Sequence, residues 1–178
     1  MGRQLNGIVA TDEQESEYIG CSKHSNNTGE ITALYYALER VLTRAPGGGR
    51  DTVHSDSLYA LNMATGKWMP RRKGKANAPV ITKLRALWRR VQRCRPGEVD
   101  LAHVRSHTKV PGNELADHLA VPAMYRGYCM PMSTDMAKAW MTRWLRRMMA
   151  DGEARDAGAD RDRSRPAPTP PRGGRGDG

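Results

Sequence analysis

Apolar and polar residues recur along this chain at two spacings, and each change of spacing marks an element. The clearest run is Ile31, Leu34, Tyr35, Leu38, Val41 and Leu42, the i, i+3, i+4, i+7 pattern that places side chains on one face of a helix. Asn27 stands where an N-cap belongs, Glu30 follows three residues later as a capping-box partner, and Ala45, Pro46 and three glycines end the helix. A second run, Val80, Ile81, Leu84, Leu87, Trp88 and Val91, predicts a helix over residues 79–92 with Lys83, Arg85, Arg89, Arg90 and Arg93 in water. Ahead of both, β-favouring residues 7–11 and 17–21 flank a polar stretch from Asp12 to Gln14, which predicts a hairpin. Short strands are expected at 52–55 and 99–104, the first running into Asp56, Ser57 and a helical turn or two over 58–63.

Past a polar loop around His107, Asn113 is expected to open a helix with Leu115, Ala116, Leu119 and Ala120 inward, until Pro122 interferes. A last helix is predicted over residues 133–150, capped by Ser133 or Thr134. It carries Ala137, Trp140, Met141, Trp144, Leu145 and Met148 on one face and Lys138, Arg143, Arg146 and Arg147 on the other. Docking on the domain is its expected use, with holding a protein partner or adding phosphate contacts as the alternatives. Residues 151–178 are rich in Gly, Pro, Arg and Asp with almost no apolar anchor, and a disordered tail is expected there.

Composition narrows the picture. At 178 residues with 38% apolar content, the chain has room for one compact domain plus tails. Its 29 Lys and Arg against 19 Asp and Glu give a net charge of +10 and a pI near 9.9, a balance that favours a polyanionic partner, nucleic acid foremost. Cys21, Cys94 and Cys129 lie far apart, which points to neither a zinc site nor a disulfide framework and suits a reducing, intracellular compartment. Without a membrane-length apolar run or a basic, apolar leader, a soluble and non-secreted protein is expected, nuclear and cytoplasmic locations being indistinguishable.

Three carboxylates stand where regular elements begin, end or turn: Glu30, Asp56 and Asp117. Converged by the fold, they would repel one another unless protons or hard cations neutralised them, and oxygen ligands from a few carboxylates suit Mg²⁺. Taken singly, each has a plainer reading: Glu30 as a helix-start acid, Asp56 as an N-cap. Asp12, at the end of an apolar run, is also an acid at a strand end, although its place beside the turn weakens that reading. His107 is expected on a mobile loop close before Asp117. The stretch from Lys67 to Lys75 holds Lys67, Trp68, Arg71, Arg72, Lys73 and Lys75, a density of charge beside a ring that suits a phosphate backbone; an ordinary solvated loop with Trp68 in the core is the other reading.

In order and spacing, Asn26-Asn27-Thr28-Gly29-Glu30-Ile31-Thr32-Ala33, Ser55-Asp56-Ser57 with Tyr59-Ala60-Leu61, the basic Trp68 region, Val104-Arg105-Ser106-His107 and Asn113-Glu114-Leu115-Ala116-Asp117 resemble the type 1 ribonuclease H family. The resemblance covers residues from about 5 to 120. It implies an α/β fold, a five-stranded mixed sheet flanked by helices, and hydrolysis of the RNA strand of RNA–DNA hybrids with two Mg²⁺ ions roughly 4 Å apart, Mn²⁺ being a possible substitute. By the same resemblance Glu30, Asp56 and Asp117 match three of four metal-binding acids. His107 matches the loop histidine that assists proton transfer or product departure. Asn26 and Asn27 match residues that touch the hybrid, and the ridge from Lys67 to Lys75 matches the basic protrusion that grips the DNA strand.

One departure stands beside the match. The family's first strand, central in its sheet and carrying the fourth acid, has no counterpart in the sequence before the expected hairpin. The expectation is a ribonuclease H-like domain over residues 1–122 lacking that strand, through truncation or decay in preference to a strand supplied by a partner, followed by the basic helix and the tail. A monomer is expected. The competing function is a non-catalytic or decayed, retroelement-derived nucleic-acid-binding remnant.

Overall fold

The computed structural model describes residues 7–70, 77–126, 129 and 132–163. In chain order the elements are α1 (Asn26–Leu42), β1 (Asp51–Ser55), α2 (Leu58–Thr65), α3 (Ala78–Cys94), β2 (Val99–His103), α4 (Pro111–Arg126) and α5 (Thr134–Arg163). β1 and β2 pair in parallel, in register from Asp51 opposite Val99 to Ser55 opposite His103. A parallel pair needs a crossover, and α2 and α3 supply it. The fold is thus mixed α/β as expected, with a small sheet against which α1 and α2 pack while α1 also lies along α3.

The predicted stripes form the main core. Ile31, Leu34, Leu38 and Val41 of α1 meet Val80, Ile81, Leu84, Leu87 and Val91 of α3 and Ala60, Leu61, Met63 and Ala64 of α2, with Val53 and Leu101 of the sheet packed against them. Ser57 caps α2 by accepting the Ala60 N–H (3.1 Å), and Gly66 ends it in the left-handed conformation. A second, smaller cluster joins Leu115 and Leu119 of α4 to Met132 and Ala137, with Trp140 and Met141 against it. His118, Trp140 and Trp144 stack in succession, their ring centroids 5.1 and 6.4 Å apart.

Several sequence expectations are corrected. Residues 7–21 form turns instead of a strand hairpin. The reason is local: the Glu15 carboxylate accepts the Thr11 and Asp12 N–H groups (3.1 and 3.0 Å) and Asp12 Oδ1 accepts the Gln14 N–H (2.9 Å), so donors that a ladder requires are taken by side chains. Gly20, at φ +106°, lies so close to α3 that a Cβ there would meet the Pro79 Cβ at 2.8 Å. The cap of α1 is Ser25, whose hydroxyl accepts the Thr28 N–H (3.2 Å), not Asn27. Glu30 therefore sits in the second turn, too far along for a capping box.

α4 begins at Pro111 and continues through Pro122, which costs the helix one backbone bond without ending it. Ala116, Ala120 and Leu145 are exposed, against the inward positions their spacing suggests. α5 starts where Ser133 Oγ accepts the Met136 N–H (3.2 Å). It runs past Ala150 to Arg163, into the stretch assigned above to a disordered tail; the high helix propensity of Ala154, Ala157 and Ala159 favours helix there. No helix among the described residues is long and apolar enough to cross a membrane.

Sequence pattern gave no hint of one buried staple. The Arg95 side chain is 2% exposed; its Nε donates to Glu98 Oε2 (3.0 Å), Nη1 to Asp51 Oδ2 (2.5 Å) and Val41 O (3.3 Å), and Nη2 to Gly49 O (3.0 Å). One guanidinium thereby joins the end of α1, the loop after it, the first residue of β1 and the approach to β2.

Candidate active site

The parallel pairing brings two chain segments out of the same end of the sheet, where α/β folds expose their ligand-binding crevices. Asp56 directly follows β1. Residues 104–110 follow β2, the Val104 N–H extending the ladder to Ser55 O at 3.0 Å. Three bonds gather around this point. Ser106 Oγ donates to Asp56 Oδ2 (2.9 Å), His103 Nε2 lies 3.2 Å from Asp56 O, and Lys109 N–H reaches Glu114 Oε1 (3.3 Å) at the start of α4. His107 Nδ1 is 3.9 Å from Asp117 Oδ2, the imidazole largely exposed and the acid less so.

Electrostatics tie the three acids together. Burial pushes the Glu30 carboxyl above its ordinary value; a Ser57 hydrogen bond opposes this, and the negative charges of Asp56 and Asp117 add to it. The Asp117 carboxyl is likewise raised, first by burial and then by Asp56, with His107 pulling the other way. Glu30 Oε2 is buried without a hydrogen-bond partner, an acceptor lacking the donor or cation that such an atom demands. Among the described residues no three His, Cys, Asp or Glu side chains stand close enough to enclose a metal ion as they are. The acids thus feel one another's charge without forming a closed cage.

A pH-dependent stability follows for Glu30. Its folded pKa lies above the unfolded one, so its contribution is fully present below the ordinary carboxyl range and is lost as pH rises through the raised folded value. At pH 7 without divalent ions the protein carries that cost. Glu30→Gln is therefore expected to unfold at a higher urea midpoint than the parent at pH 7, a difference that vanishes near pH 4; equal midpoints at both pH values would mean that Glu30 bears no such burden.

The remaining predicted residues fall around this centre to different degrees. Asn26 and Asn27 are exposed in the first turn of α1, four and three positions before Glu30. Below them, Thr28 is fully buried and donates to Asn77 Oδ1 (3.0 Å) at the start of α3, while Ser25 Oγ and Thr28 Oγ1 are 2.7 Å apart. Trp68 is 48% exposed and so does not fill the core. Its N–H donates to Asn62 O (3.1 Å) and its carbonyl accepts from Arg85 Nη2. Arg85 also donates to Met63 O (2.8 Å), which anchors the start of the basic stretch to α2 and α3. Lys67 is exposed beside it; Arg71, Arg72, Lys73 and Lys75 lie outside the described residues. Asp12 is an exposed turn residue bonded to Gln14, as its sequence position suggests.

Comparison with known proteins points to one family. A family model described as RNase H matches residues 2–125. The chain is 37% identical over 123 residues to the Ribonuclease H of Novosphingobium aromaticivorans, covering 65% of this chain and 81% of that protein. It is 37% identical over 110 residues to the Ribonuclease H of Saccharopolyspora erythraea, 58% and 67% of the two chains, and 43% identical over 102 residues to that of Mycolicibacterium gilvum, 54% and 63%. No solved structure gives a significant match.

Proposed function

Since the chain belongs to the ribonuclease H family, we propose that it is an endonuclease that hydrolyses the RNA strand of RNA–DNA hybrids with the help of divalent cations. The observation that carries the reading is the buried, unpartnered Glu30 Oε2 beside the charges of Asp56 and Asp117. Acceptors only, drawn from three carboxylates, fit a hard cation such as Mg²⁺, with Mn²⁺ as substitute. Bound there, the cations would supply an activated water and charge stabilisation at the departing 3′ oxygen.

The chain's own residues take the other parts. Glu30, Asp56 and Asp117 would hold the cations. His107, exposed on its loop and within reach of Asp117, exchanges protons with solvent during the reaction or product release. Asn26 and Asn27 present amides to the hybrid near the scissile phosphate. Lys67 and Trp68, with Arg71, Arg72, Lys73 and Lys75 beyond the described stretch, bind the DNA strand through phosphates and stacking. Recognition is by duplex shape and 2′-hydroxyls, not by base sequence. His107→Ala is expected to lower kcat by about 10- to 100-fold with little change in KM; a loss confined to KM would make His107 a binding residue instead.

A second reading has one observation in its favour: the acids enclose no cation site among the described residues as they stand. On that reading the chain binds hybrids through its basic surface without cutting them. A labelled hybrid incubated with the protein and Mg²⁺ separates the two. Cleavage products support the enzyme, and salt-sensitive binding with an intact RNA strand supports the binder.

A further inference from the structure

We infer that Ser106 is a positioning residue: its hydroxyl ties the loop that carries His107 to the carboxylate of Asp56, fixing both for the reaction proposed above, on which this inference rests. Ser106 Oγ donates to Asp56 Oδ2 at 2.9 Å, and the adjoining His103 ring nitrogen lies 3.2 Å from Asp56 O. A carboxylate oxygen has two acceptor directions, so this bond orients the Asp56 head group and still leaves capacity for a cation on both oxygens. Without it, rotation about the terminal torsion, which is broad for Asp, is free.

The loop needs such a tether because its backbone is unfavourable. His107 and Lys109 have φ values of +56° and +61°, in the left-handed region that side chains with a Cβ seldom adopt. Such conformations persist only where neighbouring bonds impose them. Here the bonds are Ser106 to Asp56 at the front, Thr108 Oγ1 to Arg105 O (2.6 Å) within, and Lys109 N–H to Glu114 Oε1 (3.3 Å) at the rear. Of these three the first reaches the sheet end that bears Asp56, two residues beyond the ladder bond from the Val104 N–H to Ser55 O, and His107 is the next residue in sequence. Its 3.9 Å approach to Asp117 therefore depends on a bond made one residue earlier.

The test compares Ser106→Ala with Ser106→Thr, the second retaining the hydroxyl. For Ser106→Ala, hybrid cleavage is expected to show kcat about tenfold lower with KM within about twofold, and Ser106→Thr should restore most of kcat. Independently of catalysis, backbone ¹⁵N relaxation should give order parameters for residues 105–109 near the rigid value of about 0.85 in the parent and Ser106→Thr, falling toward about 0.6 in Ser106→Ala. An unchanged kcat in Ser106→Ala, or unchanged order parameters, overturns the inference. Should the parent protein cleave no hybrid, the proposed activity fails, and the relaxation comparison still decides whether Ser106 holds the loop.

Discussion

Asp56→Asn is expected to abolish hybrid cleavage, with a single-turnover rate at least about a thousandfold below the parent, because the change removes charge from the centre of the acid cluster while keeping its shape. Asn is nearly isosteric with Asp, and its side-chain oxygen still accepts the Ser106 hydroxyl that Asp56 Oδ2 accepts now. The turn from β1 into α2 rests on Ser57 and Ser55, not on the Asp56 side chain. Folding should therefore survive. Two of the cluster's couplings change together: Asp56 raises the pKa of both Glu30 and Asp117, so in the variant both carboxyls titrate lower and ionise more readily. A variant that folds, binds hybrid and ionises its remaining acids more easily, yet does not cut, isolates the Asp56 charge as the missing component. Cleavage undiminished by the change would remove Asp56 from the chemistry.

The largest stability effect is expected at Arg95, far from any reacting group. Replacing it with Leu should lower the melting temperature by roughly 10 °C, read from thermal unfolding by circular dichroism at pH 7. The guanidinium has acceptors on all three nitrogens, and removing it takes from the part-buried Asp51 and Glu98 the cation they share, leaving Asp51 with Arg44 and Glu98 with the Gly47 N–H, and leaves the Val41 and Gly49 carbonyls without this donor. Breaking one partner of a buried ion pair is costlier than never having built it. This side chain bridges the Asp51 end of β1 and the Glu98 approach to β2, beside the backbone bond from the Asp51 N–H to Glu98 O (2.7 Å), so its loss loosens the start of the parallel pair. Acid should expose the same dependence. The Gly47 N–H and then Arg95 hold the Glu98 carboxyl below its ordinary value, so its stabilisation is present above the ordinary carboxylate range and is lost as pH falls through the depressed folded pKa. A melting temperature for Arg95→Leu within a few degrees of the parent would mean that the packing of α1 on α3 alone sets the register.

Much of this is legible in the residues themselves. Helical periodicity located α1 and α3 because both bury one continuous stripe, and the strands that follow Gly-rich breaks were found with it. Motif order singles out Glu30, Asp56 and Asp117, and the Asp56 charge is among the causes that raise the carboxyls of both Glu30 and Asp117. The hairpin over residues 7–21 was misread because β-favouring residues specify strands only when the backbone donors are free, and Asp12 and Glu15 occupy several of them. Glu30 was misread as a cap partner because Ser25, Asn26 and Asn27 are all good N-caps, and only the observed Ser25 bond to the Thr28 N–H chooses among them.

Other features leave almost no trace in sequence. Arg95 precedes a Pro-Gly turn and reads as a solvated cation, yet it is the largest fully buried side chain of the described residues. The bond from Thr28 to Asn77 spans 49 positions, and nothing local announces it. Ser106 had a faint signal, since it directly precedes the candidate histidine, but its acceptor is 50 residues earlier and is brought near only by the parallel pairing. The extension of α5 beyond Ala150 shows that a Gly- and Asp-containing stretch can continue an existing helix, nucleation being the costly step.

Substoichiometric Mn²⁺ added to ¹⁵N-labelled protein tests the shared cation site most directly, because a paramagnetic ion broadens only the amide signals close to it. The amides of Glu30, Ser57 and Asp117 should broaden together in the parent protein, and all three should stay sharp in Asp56→Asn. Broadening confined to one of them, or scattered over the surface and indifferent to Asp56, would contradict a common site for the three acids.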